Sequence, residues 1–216
     1  MPDPRGRIRD PERRERILAA AADLIARRGY QGVNTAEIGD AAGIVGSGIY
    51  RHFSTKIAIL VALFDRVVDR LVADAEATLR ATDDPVVTLA ELVRAQVRFT
   101  IDERRLCQVY LQEARSLPDG DQRRLRWKQR HYVDLWQDAL ASVQPDVAPA
   151  VHHATVHAAL AGVHSILQYR SPLPDAELAT LTAALAWRAL GLESVPMPLE
   201  VDVAATAPEL GERPAG

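Results

Sequence analysis

Tyr50, Arg51, His52 and Lys56 crowd polar and cationic groups into one short stretch of the chain. Gly46, Ser47 and Gly48 precede them and allow backbone to come close to a partner. An arginine fork matches the two acceptors on the groove edge of guanine, or a phosphate. Tyrosine, histidine and lysine offer further donors to phosphate oxygens. Upstream, Thr35–Ala42 reads as a short helix and Gly43 as a tight turn. A helix, a turn and a second short helix form the arrangement that lays a recognition helix in the major groove of DNA. Thr35 is the expected N-cap of the first of these helices, with Glu37 in its first turn. The candidate DNA contacts are therefore Thr35, Ser47, Gly48, Tyr50, Arg51, His52 and Lys56. Lys56 is expected in the first turn of the next helix, where the dipole disfavours a cation; a docked phosphate would reverse that sign. Ile49 and Phe53 are expected in the core.

Further residues of 13–64 join this motif. They are the helix Arg16–Arg28 ending at Gly29-Tyr30, Val33-Asn34-Thr35, Ile38, Ala41-Ala42-Gly43-Ile44, Ile49-Tyr50-x-x-Phe53, and Lys56 before Leu60. On these residues the chain resembles the TetR, or tetracycline-repressor-like, family. Val45 stands where that family usually has a serine cap, and Gly39 where it usually has alanine. The resemblance implies a homodimeric, ligand-responsive transcriptional regulator. It would be a repressor released from a pseudo-palindromic double-stranded operator by a small, largely apolar effector. Acyl-thioesters, drug-like molecules and aromatic molecules are the effector classes it leaves open.

Net charge is −3, which becomes informative once divided. Residues 1–56 hold 10 Lys/Arg against 7 Asp/Glu, and residues 57–216 hold 16 against 22. A basic N-terminal part on an acidic remainder suits nucleic-acid binding. No apolar run reaches the roughly 18 residues of a membrane span, and the Arg-rich start lacks the apolar segment of a signal peptide. The single Cys107 excludes an internal disulfide and fits a reducing cytoplasm, where it is expected as a small buried hydrophobe.

Periodicity near 3.6 runs along most of the chain, so the expected fold is all-α. Helices are expected at 11–28, 55–80, 86–102, 104–116, 121–143, 149–170 and 175–190, besides the short pair. Ser54 is the expected cap of the 55–80 helix. Pro and Gly separate the helices at 117–120, 144–146 and 171–174. The organisation expected is a basic disordered arm at 1–10, a three-helix DNA-binding head at 11–56, a helical ligand-binding and dimerisation body at 57–192, and a disordered tail at 193–216.

The body offers no glycine-rich phosphate loop, nucleophile elbow or paired-carboxylate motif, so no enzyme and no cofactor is expected. His153, His157 and His164 share one side of their helix with Gln168. Without an accompanying Cys or carboxylate they read as a polar seam, and no metal site is assigned. Gln96, Thr100, Tyr110, Glu113, Gln129, Tyr132 and Trp136 lie on the apolar sides of three helices, as anchors of a mostly apolar pocket would. The 149–170 helix is apolar on two faces. One carries Val156, Leu160, Val163 and Leu167; the other carries Val151, Ala154, Ala158, Ala161, Gly162 and Tyr169. One face suffices for a monomer, so Leu160, Val163 and Leu167, with Leu181 and Leu185 of the next helix, are assigned to a homodimer interface. Two rival readings remain from the sequence. One is a DNA-binding architectural protein without an effector. The other is a helical-bundle enzyme with an incidental head, which the missing acid–base and metal groups disfavour.

Overall fold

Apolar stripes bounded by Pro, Gly and capping residues become helices along the whole described chain. The structure, a computed structural model, describes residues 11–44, 46–192 and 201. The helices are α1 (Pro11–Arg28), α2 (Thr35–Ala41), α3 (Lys56–Ala81), α4 (Pro85–Asp102), α5 (Arg104–Glu113), α6 (Asp119–Val143), α7 (Pro149–Ser165) and α8 (Asp175–Ala189). No strand occurs among the described residues, so the fold is all-α. None of the described helices is long and apolar enough to cross a membrane. The expected basic arm, Val45 and, apart from Val201, the expected disordered tail lie outside the described residues.

The chain divides into two compact units, at different places from the expected head and body. One unit takes the chain up to Ala73 together with Arg105–Tyr132; the other takes Asp74–Arg104 and the chain from Val133 onward. In the first unit, Ile17, Leu18, Ala21 and Ile25 present the inner stripe of α1 to a core shared with Ile38, Ile49, Phe53, Leu60 and Phe64. The Tyr110 ring meets Phe64 edge-on, with centroids 4.7 Å apart. Ion pairs tie α3 to α6: Lys128 Nζ donates to Asp65 and Asp69 at 2.9 Å each, and Arg124 donates to Asp65 at 2.7 Å. Burial alone would raise the pKa of Asp65, but these hydrogen bonds and charges hold it below the usual carboxylate value.

In the second unit α4, α7 and α8 pack on one another. α7 stops at Ser165, short of the expected Gln168–Arg170. There Arg104 donates to the carbonyls of Ile166 and Tyr169, the latter at 2.7 Å, and holds the chain in its turn. Leu160, Val163 and Leu167 are buried inside this unit, which corrects their assignment to a dimer interface. The outward face of α7 is the other one, with Val151, Ala154, Ala158, Ala161 and Gly162 exposed. Leu181 and Leu185 of α8 remain 47% and 55% exposed, as an unpartnered face requires.

His164 leaves the expected seam and turns inward, its Nε2 lying 3.4 Å from Gln96 Nε2. Burial lowers its pKa from the ordinary histidine value. The folded state thus disfavours the proton relative to the unfolded chain. The resulting stability is complete above about pH 6.5 and is lost as pH falls through the lowered folded value. His164→Gln should therefore show a flatter melting temperature than the parent between about pH 7 and 5. Parallel pH profiles for the two chains would contradict this.

Candidate nucleic-acid interface

The exposed motif residues sit on a scaffold that begins with Asn34. Its side chain accepts from Glu37 N at 2.9 Å, while the Glu37 carboxylate accepts from Asn34 N at 2.8 Å. This capping box starts α2, so the cap is Asn34, and Thr35 is the first helical residue. The Asn34 backbone N–H, then Arg28 at 2.8 Å, lower the Glu37 pKa. α2 ends at Ala41, and beyond its C-cap Ala42 comes Gly43, whose φ of +70° lies in the left-handed region that glycine adopts without strain. Ile44 N then donates back to Gly39 O at 2.9 Å and turns the chain toward the next segment.

That next segment is a 3₁₀ turn, Gly46–Arg51, where a short α-helix was expected. Ile49 is fully buried and Phe53 is 5% exposed, so the turn is pinned from beneath. The Arg14 guanidinium lies over the Phe53 ring at 5.1 Å. Ser47, Tyr50 and Arg51 point outward, and Tyr50 is 54% exposed. Thr35, Gly48 and His52 are half-buried. A Cβ at Gly48 would stand 2.7 Å from Ile44 Cγ2, so the close approach of these segments requires glycine.

Lys56 occupies the first turn of α3 as expected, but its amine points into the fold. Nζ donates to Tyr30 O at 2.7 Å and Val33 O at 2.8 Å and lies 4.1 Å from the centre of the Tyr30 ring. Two of its three donors thus clamp the α1–α2 loop, a role beside the expected phosphate contact, for which the third N–H remains. The α3 cap is Thr55, which accepts from Ala58 N at 3.1 Å, and not Ser54. An open cleft of about 370 Å³ lies beside this clamp, lined by Arg28, Gln31, Asn34, Thr35, Glu37 and Lys56, among others. Arg14, Asn34 and Thr55 escaped sequence reading as functional supports; the Asn34-x-x-Glu37 spacing was the available signal for one of them.

The residues expected around an effector divide between the two units. Gln96, Thr100 and Trp136 belong to the second unit, and Tyr110, Glu113, Gln129 and Tyr132 to the first. Gln96 Nε2 donates to Thr100 Oγ1 at 3.2 Å, and that hydroxyl donates to Gln96 O at 2.8 Å. Trp136 is fully buried and Tyr132 is 9% exposed. Burial, then the charge of Asp65, push the Tyr110 phenol up to about 12. Burial and then the Glu113 charge raise the pKa of Tyr30, so Glu113 acts electrostatically on the ring that Lys56 covers. Gln129 is exposed, which corrects its placement on an inward face. His152 was missed altogether. It is 3% exposed on the inner face of α7, and its Nε2 has no hydrogen-bond partner among the described residues.

Two family models match successive stretches of the chain. Residues 17–63 match the family model of bacterial regulatory proteins of the tetR family. Residues 82–167 match the tetracyclin repressor-like C-terminal domain. The HTH-type transcriptional activator FasR of Mycolicibacterium smegmatis is 37% identical over 93 residues, 43% of this chain and 42% of FasR. The chain therefore spans less than half the length of that relative. The HTH-type transcriptional repressor KstR2 of the same organism is 30% identical over 144 residues, 62% of this chain and 69% of KstR2. Among solved structures, a bacterial regulatory protein in the tetR family from Rhodococcus RHA1 superposes with a TM-score of 0.73 at 22% identity. That superposition covers 85% of this chain and 99% of the Rhodococcus chain. AibR, solved with isovaleryl coenzyme A and operator DNA, superposes with a TM-score of 0.67 at 24% identity, covering 80% and 97% of the two chains. At these identities the structural matches establish the shared fold.

Proposed function

Because this chain belongs to the TetR family of bacterial regulatory proteins, we propose that it represses transcription as a cytoplasmic homodimer released from its operator by a small effector. The observation that carries the DNA-binding part is the 3₁₀ turn: Ile49 and Phe53 anchor it while Ser47, Tyr50 and Arg51 face outward. A rigid support with exposed donors is what base and phosphate contacts need. Two heads related by a two-fold axis would read the two halves of a pseudo-palindromic operator. The second copy is assigned to the outward faces of α7 and α8, where Ala154, Ala158 and Ala161 permit close approach and Leu181 and Leu185 supply apolar area. An acyl-thioester is the favoured effector class, supported by the likeness to AibR. Its release mechanism requires only that the effector prefer a state of the dimer whose heads fit DNA poorly.

Operator selection followed by binding measurements tests this reading. Arg51→Ala should weaken the selected operator by about 1–3 kcal/mol per half-site and relax preference at one base position if Arg51 reads a base. Tyr50→Phe, which removes only the hydroxyl, should weaken all sequences alike if that group meets a phosphate. Selection that yields no preferred sequence, or a site bound by a single chain, would overturn the proposal.

A further inference from the structure

We propose that His153 and His157 chelate a divalent transition-metal ion of the zinc, nickel or copper class on the outside of α7. The two residues are one helical turn apart and project from the same side. Their ring centroids lie 4.5 Å apart with planes at 61°, and both residues are exposed. Neutral imidazole is a preferred ligand of these borderline ions. Once one ring holds the ion, the helix delivers the second at high effective concentration.

The surroundings favour this pair over the chain's other histidines. His152 and His164 are turned into the second unit, and His131 stacks beside Trp127 at 6.3 Å. α7 carries no Lys, Arg, Asp or Glu, so no cation on the helix repels an incoming metal and no side-chain carboxylate on it competes for the imidazole N–H groups. No third His, Cys, Asp or Glu joins the pair among the described residues. The remaining coordination positions therefore fall to water, which gives an open site of moderate affinity in place of a closed structural one. Magnesium and calcium, which take oxygen ligands, have no reason to bind here.

The test is calorimetric titration of the tag-free full chain with Ni²⁺ at slightly alkaline pH. One ion per chain is expected. His153→Gln and His157→Gln should each weaken binding on the order of tenfold or more, since either leaves a single ligand. His131→Gln should bind as the parent does, and Mg²⁺ should give no heat. Both positions are exposed, so the variants should melt like the parent; His157→Ala serves if His157→Gln does not. Ni²⁺ affinity unchanged in either single variant, or no binding by the parent up to about 1 mM, would overturn the site. Sedimentation in metal-free buffer reports separately on the second copy, so failure of the homodimer reading and failure of the metal site are distinguishable.

Discussion

Lys56→Met is expected to destabilise the first unit by about 2–4 kcal/mol. Two charge-assisted hydrogen bonds and one cation–π contact are lost together. Methionine keeps most of the apolar stem, so the change removes the amine and little else. The carbonyls of Tyr30 and Val33 lose their shared donor, and the loop that leads into α2 loses its tie to α3. Urea unfolding should show the midpoint fall with little change in slope. Operator affinity should fall as well, because the loop positions the capped start of α2. The salt dependence separates the two roles open to this residue. If the clamp is the whole role, the slope of log affinity against log salt stays nearly constant. If the third N–H also meets a phosphate, the slope drops by about one per half-site. An unchanged urea midpoint would remove the clamp from the account.

Trp136→Ala should cost still more, about 3–5 kcal/mol, because the side chain is fully buried and the vacated volume cannot all collapse. For a chain of this size that corresponds to a melting-temperature loss of roughly 6–20 °C. A fall of less than about 2 °C would show that the site refills or that Trp136 packs loosely in solution. A variant that loses this much stability would lose effector response for trivial reasons. Trp136→Phe keeps most of the apolar area and removes the indole N–H, so it is the informative change. Gln96→Leu is its partner in the second unit, since it takes the amide away from both Thr100 and His164. If both variants fold and respond to effector like the parent, these groups serve the core alone.

Much of this architecture is legible in the residue order. α1 begins at Pro11 and ends at Arg28 as expected, because proline suits the first helical turn and Gly29 the left-handed exit. The breaks before α4, α6, α7 and α8 follow Pro-containing segments for the same local reason. The head motif was readable because its spacing of small, apolar and donor residues is short-range. Ile49 and Phe53 had to be buried for Tyr50 and Arg51 to be presented, and they are.

What the sequence left open is the choice among equals. Asn34 and Thr35 can both cap a helix; the extended backbone at Asn34 selects it. α7 has two apolar faces, and periodicity says only which residues share each one. Packing with α4 and α8 covers the face of Val156, Leu160 and Val163 and leaves the alanine face outside. Larger side chains inside recover more apolar area than alanines would, but only the assembled unit shows which face that is. The same packing parts the histidine seam, turning the half-buried His164 inward while His153 and His157 stay in solvent. Lys56 is the sharpest case. Its position at a helix start is written locally, yet its partners are carbonyls 26 and 23 residues away. Backbone acceptors carry no residue signature, so a side chain that bonds them across the fold acquires its role only when the chain has closed on itself.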